Sequence, residues 1–354
     1  WLDEEMEMSW MKEYVKKSDC GLTFLQTKGD AVKTILFSEE HFLKGKNIRP
    51  QFPGRNVGLM FGWETSVNPF MQFPAYKEIA DLSLDQKYEI LKDPIFKEKL
   101  LNQEPDFETE IRARLADNPS NKTREEIAQD VALPTTITSN YKTQFILGTP
   151  PNYEPKEEDS IASIALRKNI SELEVMYDEM LKNQGTNLIY AAFTPYEKYK
   201  LDFVEQAYRL KSSVAGGSDG GAHCGLICDA SMPTTNISHW GRDREAGRKF
   251  PLEMLIKKQT KDTAETFGLF DRGEIKAGML ADINIIDFDK LNVSHPTMIH
   301  DLPLGGRRLV QDATGYVATL KNGQVVSENG KANGVLPGKL IRGKQVCEVK
   351  TGIS

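Results

Sequence analysis

The residues best suited to carry out chemistry lie in one glycine-rich segment, Gly216–Cys224, which reads GGSDGGAHC. It overlaps the end of an apolar stretch, 213–217, that predicts a buried strand. Asp219 stands among four glycines, so little side-chain bulk surrounds it and a substrate can approach closely. In α/β sheets and barrels, sites are built at this carboxyl end of a strand. We interpret Asp219 as a general base or metal ligand, with His223 as a second polar group; the alternative is a glycine-rich turn in which the aspartate caps the next helix.

Histidine and cysteine give only a weak indication of a metal site. Four of the five histidines follow residue 222, and no two have the H-x-H or H-x-x-x-H spacing. A self-contained zinc site normally needs about three or four ligands at a workable geometry. His223, Cys224 and Cys228 supply part of such a set, but the preferred interpretation of these cysteines is small buried thiols.

A second polar cluster follows the glycine-rich segment. His239, Arg242 and Arg244 stand close together beside a tryptophan, and the fork of an arginine side chain matches the geometry of a carboxylate. This pattern predicts binding of a substrate carboxylate, and a surface loop held by ion pairs is the alternative.

A third polar set stands near the end of an earlier predicted strand, 47–52. It consists of Arg49, Gln51 and Arg55. These side chains either face the site, where they would bind substrate, or pair with acidic residues. The pattern does not separate the two.

The elements that position these residues alternate between strands and helices. Short apolar strands are predicted at 21–26, 47–52, 144–148, 187–193 and 213–217, with helices between them at about 30–43, 158–168, 171–183 and 196–210. The near-continuous apolar run at 187–193 is typical of a strand buried on both faces of a parallel sheet. The alternation indicates an α/β fold with a parallel sheet, and it does not separate an open sheet from a closed barrel.

Two departures from this alternation set the predicted domain boundaries. A charged, helix-rich insertion covers about 68–140, with helix ends expected before Pro94, Pro105 and Pro119, because the residue preceding a proline disfavours the helical conformation. After a last helix at 251–267 the pattern changes to strands, including a hairpin around Asn322-Gly323. We therefore predict one domain over 1–270 and a small β domain over 271–354.

Composition excludes several classes of protein. The 354 residues carry 45 Lys and Arg against 51 Asp and Glu, and a net charge of −6 argues against a nucleic-acid-binding surface. No apolar run approaches the ~18 residues of a membrane-spanning helix. The acidic start of the chain lacks the features of a signal peptide, and four scattered cysteines do not make a disulfide framework. We expect a cytoplasmic protein with no nucleic-acid and no membrane partner, whose oligomeric state the sequence does not indicate.

Several segments look familiar: Gly217–Asp229 with His239-Trp240 after it, Asp271–Asp287, His300–Arg308 and Gly334–Gly343. Together they closely resemble the amidohydrolase superfamily, in its N-acyl-D-amino-acid deacylase (D-aminoacylase-like) branch. The segment GSDGGAHCGLICD is the most specific of them, and Gln51–Leu59 fits the same branch. No G-x-S-x-G, P-loop or dinucleotide-binding motif competes with this assignment.

The resemblance implies a metal-dependent (β/α)8 TIM barrel and a small β-sandwich built from both chain ends. Its first barrel strands, with H-x-H ligands for zinc, would precede Trp1, so we expect a C-terminal fragment that is inactive by itself. This chain would then hold the C-terminal part of the barrel and half of the sandwich. By the same resemblance, Asp219 lies at the metal, takes a proton from the metal-activated water and passes it to the leaving amine.

One departure from the family leaves two functions open. Related deacylases place metal-ligand histidines after two mid-barrel strands, whereas here those strands end in Phe24-Leu-Gln26 and Arg49-Pro-Gln51. The leading hypothesis is hydrolysis of C–N bonds in linear amides, with an N-acylated amino acid or a related amide as the small-molecule partner. The alternative is a catalytically inactive binding protein on an amidohydrolase fold.

Overall fold

The computed structural model of the protein describes residues 4–18, 20–27, 32–218 and 220–343. Asp219, the predicted general base, lies outside the described residues. In chain order the helices are α1 (Glu4–Lys17), α2 (Val32–Leu43), α3 (Pro74–Lys77), α4 (Leu84–Leu91), α5 (Pro94–Leu101), α6 (Glu108–Ala116), α7 (Arg124–Thr138), α8 (Ile161–Lys168), α9 (Glu172–Gly185), α10 (Asp202–Arg209), α11 (Met232–Ser238), α12 (Leu252–Gln259) and α13 (Lys261–Thr266).

The strands form several small sheets, and the chain is a mixed α/β protein. In chain order they are β1 (Leu22–Leu25), β2 (Ile48–Pro53), β3 (Val57–Phe61), β4 (Gln144–Ile146), β5 (Ile189–Thr194), β6 (Val214–Gly216), β7 (Ile283–Ile286), β8 (Asn292–Val293), β9 (Thr297–Leu302), β10 (Gly306–Val310), β11 (Ala313–Thr314), β12 (Tyr316–Lys321), β13 (Gln324–Glu328) and β14 (Lys331–Ala332). The sheet orders are β1-β2-β6, β3-β5-β4 and β14-β13-β12-β7, with β9 paired to β10 and β8 paired to β11.

The predicted parallel sheet is confirmed for three strands. β2 runs parallel to both of its neighbours, with Gln51 beside Leu25 of β1 and Pro53 beside Gly216 of β6. The carboxyl ends of these strands therefore meet at one edge, where the glycine-rich segment begins. The strands of the described ranges stay in separate small sheets and do not close into a barrel, so the TIM barrel remains a prediction.

The expectation for the strand at 187–193 is half right. β5 is buried on both faces over its first four residues, as the apolar run predicts. Its partners β3 and β4, however, both run antiparallel to it, with Met60 and Phe145 each beside Tyr190. A continuous apolar run indicates that both faces of a strand are buried. It does not indicate whether the neighbouring strands run parallel or antiparallel.

Helices α3 to α7 lie in the range predicted as a helix-rich insertion, and all three proline breaks are confirmed. α4 ends before Pro94, which begins α5, while Pro105 and Pro119 lie between helices. Reciprocal caps begin α4 at Ser83 and α7 at Thr123, where a side-chain oxygen accepts from a backbone N–H three residues on. Two helices are shorter than expected: α10 begins only at Asp202, and the 251–267 helix divides at Thr260 into α12 and α13.

Past residue 270 the described chain contains strands and short turns, as the sequence predicts. β12 and β13 form the predicted hairpin, and its turn residues Asn322 and Gly323 have positive φ angles of 51° and 76°. These angles are those of the expected turn type. None of the helices in the described ranges has the length and apolar character needed to cross a membrane.

Candidate active site

The candidate site begins at the carboxyl end of β6, where the chain passes close to β2. A Cβ at Gly216 would lie 2.6 Å from Gln51 Oε1, so only glycine permits this approach without a shift of the glutamine. Gly217 takes a positive φ of 76°, which glycine adopts without strain. Gly220, the residue after Asp219, is exposed. The segment predicted to hold the catalytic carboxylate thus leaves the sheet at the edge where sites of α/β proteins are built.

A cavity of about 190 Å³ lies beside this segment. Its lining includes Gly220, Cys224, Cys228, Ser231 and Gln311. Burial raises the pKa of the Cys228 thiol to about 11, so this thiol is protonated at neutral pH. The interpretation as a small buried thiol is confirmed for Cys228, whereas Cys224 is only half-buried.

Arg55 forms a buried ion pair just beyond the end of β2. Its side chain is fully buried, and Nη2 donates to Asp229 Oδ1 at 3.1 Å and to the Cys228 carbonyl at 3.0 Å. The guanidinium also stacks on Tyr153, 3.5 Å from the ring centre. Burial works against the charged form, but Tyr153 and Asp229 raise the pKa of Arg55 above its ordinary value. Of the two predicted alternatives, Arg55 pairs with an acidic residue.

His239 belongs to a second buried ionic cluster, centred on Glu154. Glu154 Oε2 is 2.9 Å from His239 Nε2, and both carboxylate oxygens accept from Arg244, at 2.9 Å and 3.0 Å. Burial would raise the pKa of Glu154, but the hydrogen bonds from His239 and Arg244, together with their charges, outweigh it and lower the pKa to about 2. His239 follows α11 in a single π-helical turn, 239–243, which brings it to this carboxylate.

Arg242 is fully engaged by the protein itself. Nε donates to Asp243 at 2.6 Å, Nη1 donates to the carbonyls of Phe288 and Asp289, and Nη2 donates to Asp243 and to the Leu291 carbonyl at 2.8 Å. All five N–H groups of the guanidinium therefore have partners. This geometry corresponds to the ion-paired alternative, and binding of a substrate carboxylate by Arg242 requires these bonds to be exchanged.

Arg49 and Gln51 lie farther from the carboxyl edge than the sequence suggests. Arg49 is buried near the start of β2, where Nη2 lies 3.3 Å from Glu265 Oε2 and the guanidinium stacks on Phe42 at 4.2 Å. Gln51 lies within the strand and donates from Nε2 to Thr23 Oγ1 at 2.9 Å. Arg49 therefore also pairs with an acidic residue, at the amino end of the sheet.

His223 is exposed, with a positive φ of 49°. The described residues contain no group of three or more His, Cys, Asp or Glu side chains that could hold a metal ion. After β1 and β2 the chain continues into buried Gln26 and Arg55, and an arginine guanidinium is not a metal ligand. The described residues therefore do not fit the zinc site that the resemblance implies.

A larger cavity of about 630 Å³ opens between the 150–156 turn and residues 235–246. Glu154, His239 and Arg242 all line it, and Tyr153 and Tyr199 contribute aromatic surface. The side chain of His239 is 17% exposed, so its ring is accessible from this cavity while its Nε2 contacts the Glu154 carboxylate. The second polar cluster therefore borders a space large enough for a small molecule.

Three residues of these clusters were not singled out from the sequence. Glu154 and Asp229 are the carboxylate partners of the buried arginines, and Tyr153 lies on the face of Arg55. Each partner is distant in sequence, since Arg55 and Asp229 are 174 residues apart. A buried charge must be paired, so arginines next to apolar runs indicate that acidic partners exist elsewhere in the chain. The sequence does not show which acidic residues these partners are.

Comparison with known proteins supports the resemblance found in the sequence. Residues 190–327 match the sequence profile described as the amidohydrolase family. This stretch includes β5, β6, the glycine-rich segment and most of the C-terminal strands. Among curated proteins, none matches the chain.

The solved structures that resemble the chain are D-aminoacylases. One, described as defining a novel subset of amidohydrolases, has 22% identity and a TM-score of 0.31, covering 54% of this chain and 36% of its own. A D-aminoacylase mutant in complex with copper chloride has 21% identity and a TM-score of 0.30 over 54% and 36%. A third, concerned with the binuclear metal centre of D-aminoacylase, has 16% identity and a TM-score of 0.43 over 94% and 53%. The chain thus spans about a third to a half of these proteins, and the likeness in structure is low.

Proposed function

We propose, from the premise that residues 190–327 belong to the amidohydrolase family, that this protein hydrolyses C–N bonds in linear amides, with an N-acylated amino acid as substrate. The observation that carries the proposal is the family match over the segment that contains Asp219. In the structure, this segment follows β6 at the carboxyl edge of a parallel sheet. That edge is where the catalytic groups of parallel α/β proteins stand.

In this proposal Asp219 acts as the general base and then as the general acid. It takes a proton from the attacking water as the new C–O bond forms at the amide carbonyl carbon. It then passes that proton to the leaving nitrogen as the C–N bond breaks, so the products are a carboxylic acid, which ionises at neutral pH, and an amine. His223 and Gln51 remain predicted substrate contacts near this segment.

The proposal includes the architecture that the resemblance implies. β1, β2 and β6, with α2 and α10, would be part of a (β/α)8 barrel over 1–270, and β7 to β14 would be half of a β-sandwich over 271–354. The parallel pairing of β2 with both neighbours and the strand-rich chain after residue 270 support this arrangement.

The experiment introduces Asp219→Asn into the protein as it occurs in its source and measures the activity of the purified variant. Release of free amine from N-acetylated amino acids, in both D and L forms, should fall by about 10²–10⁴-fold in kcat, since that is the usual contribution of a positioned acid–base group. The matched control is Asp117→Asn, which alters an exposed carboxylate at the end of α6. An Asp219→Asn variant with undiminished turnover would refute the assigned role.

A second function, binding without catalysis, is favoured by one observation. The chain after β2 carries a fully buried Arg55–Asp229 ion pair where related enzymes place metal-ligand histidines. Binding of an N-acetylated amino acid with no release of amine, and no stoichiometric zinc in the purified protein, would favour this function over hydrolysis.

A further inference from the structure

The 630 Å³ cavity between the 150–156 turn and residues 235–246 has no part in the proposed hydrolysis. Its described lining and that of the 190 Å³ cavity beside the glycine-rich segment have no residue in common. The volume lies within the range of about 300–1,000 Å³ in which proteins bind small molecules. What such a cavity can bind is decided by the side-chain atoms that have no partner within the protein.

His239 offers this cavity a nitrogen that can accept a hydrogen bond. Its Nε2 lies 2.9 Å from Glu154 Oε2, and Arg244 donates to both oxygens of the same carboxylate, at 2.9 Å and 3.0 Å. An ionised carboxylate only accepts, so in the neutral ring Nε2 carries the proton and Nδ1 keeps its lone pair. Nδ1 has no hydrogen-bond partner among the described residues and is not buried. Because His239 lines the cavity, a bound ligand can donate to Nδ1.

The cations at this cavity are already engaged by the protein. All five N–H groups of Arg242 have partners, and Arg244, which lies behind the cavity wall, is bound to Glu154. Lys156 Nζ lies 3.9 Å from Glu158 Oε1. A ligand carboxylate would therefore find no unoccupied guanidinium here, which argues against the carboxylate binding predicted for this cluster.

Carboxylates outnumber cations in the lining of the cavity. Two basic residues line it, Lys156 and Arg242, against four acidic ones: Glu154, Asp159, Asp243 and Glu245. Even when the charge of Glu154 is set against that of Arg244, three carboxylates remain against two cations. Glu245 is exposed and forms no ion pair with any residue that the structure describes. The excess of negative charge favours a positively charged ligand.

Tyr199 adds an aromatic surface to the same cavity. The residue is half-buried, and its ring packs edge-on against Phe145 and Tyr196, with both ring centres 6.4 Å away. The face of an aromatic ring attracts ammonium groups. An acceptor nitrogen, a carboxylate without an ion pair and a tyrosine ring thus line one space of suitable size.

We propose that this cavity binds a small primary amine in its protonated form. The ammonium group donates to His239 Nδ1 and pairs with Glu245, while the carbon skeleton contacts Tyr199. A primary ammonium has three N–H donors, so one group can serve both acceptors. This site goes beyond the proposed function, because none of its residues belongs to the glycine-rich segment.

The test compares three compounds of one shape and different charge. 2-Phenylethylamine, 2-phenylethanol and 3-phenylpropionate are titrated by calorimetry into the wild-type protein at about pH 8, where imidazole is ordinarily neutral and an alkylamine is protonated. We expect the amine to bind at least about tenfold more tightly than the alcohol, as charge-assisted hydrogen bonds imply. The carboxylate should bind more weakly than the alcohol.

Two variants separate the hydrogen bond from the charge. His239→Phe keeps a ring but removes the acceptor, so it should weaken binding of the amine and of the alcohol alike, by about fivefold or more. Glu245→Gln should weaken binding of the amine by about three- to fivefold and leave binding of the alcohol within about twofold. Since Glu245 is exposed, its replacement should not disturb the fold, and it decides the question if His239→Phe does not fold.

The matched control is Glu253→Gln, which removes an exposed acid of α12 that does not line the cavity. It should leave the affinity for the amine unchanged. An amine that binds no more tightly than the alcohol, equal losses in Glu245→Gln and Glu253→Gln, or no binding of the amine would overturn the proposal. Asp219→Asn should bind the amine as the wild type does, so the failure of hydrolysis and the failure of this site are observed separately.

Discussion

Replacing Glu154 by glutamine should destabilise the protein strongly at neutral pH and much less in acid. The carboxylate is almost fully buried and accepts hydrogen bonds from His239 and from two nitrogens of Arg244. Glutamine keeps the size of the side chain but removes the charge, so Arg244 loses its main counter-charge in a buried position. Breaking a buried ion pair from one side typically costs about 3–5 kcal/mol.

The pKa of Glu154 gives an independent magnitude and a sign. A carboxyl whose pKa is about 2 in the folded protein, against 4.5 ordinarily, contributes about 3 kcal/mol to the free energy of unfolding once both states are ionised. Because the folded pKa is the lower one, this contribution is complete above the ordinary value and is lost as the pH falls toward about 2. At about pH 3 roughly 2 kcal/mol of it should be gone.

The assay is urea unfolding followed by circular dichroism at about pH 6 and about pH 3. We expect the difference in unfolding free energy between the wild type and Glu154→Gln to shrink by about 2 kcal/mol between the two conditions. Glu157→Gln, an exposed acid on the neighbouring turn, is the control and should differ little from wild type at either pH. A difference for Glu154→Gln that is the same at both pH values would refute the assignment of its ionised form to this cluster.

Three further outcomes follow from the packing around β2 and the small cavity. Gly54→Ala should lower the free energy of unfolding by about 1–3 kcal/mol in urea, because the new Cβ would lie 1.7 Å from Asn236 Oδ1. Arg55→Met should cost about 3–5 kcal/mol in the same assay, and adding Asp229→Leu should recover part of that loss, because the acid would no longer be buried without its partner. Cys228 should resist alkylation by iodoacetamide at about pH 8 in the folded protein and react on unfolding, as followed by peptide mass spectrometry, because burial raises its pKa to about 11.

Each of these outcomes has a matched control. Gly338→Ala places a methyl group in open space and should leave the stability unchanged, so equal effects at both glycines would contradict the packing argument. A double variant at Arg55 and Asp229 whose cost equals the sum of the single costs would contradict their direct coupling. Cys20 is exposed and should be alkylated first, and labelling of Cys228 at the same rate would show that its burial is incomplete.

Features set by local chemistry were predictable from the sequence. The break at Pro94 and the turn at Asn322-Gly323 both depend on a few consecutive residues, and the structure has each of them. The parallel sheet was predictable because alternating strands and helices produce one. The direction of β3 and β4 beside β5 was not, because an apolar run of the same kind suits either orientation once both faces are buried.

The partners of the candidate site residues lay beyond the reach of sequence reasoning for a different reason. Three arginines stand in patterns that suit substrate binding: Arg55, Arg242 and Arg244. Each of them instead forms an ion pair or hydrogen bond with a residue far along the chain. His239 and Glu154 are 85 residues apart, so no local spacing relates them. From the sequence one can infer that a buried arginine needs an acidic partner. Only the folded structure shows whether that partner belongs to the protein or to a substrate.

The chain from Gly216 to Asp229, which begins with the glycine-rich segment, is contacted at both ends by β2 and the residues just after it. At its start, Gly216 pairs with Pro53 of β2. At its far end, Arg55, two residues beyond the same strand, donates to the Cys228 carbonyl and to Asp229. The buried Arg55–Asp229 pair therefore has a physical reason to lie where it does: it holds the chain that follows the glycine-rich segment, on which the proposed chemistry depends.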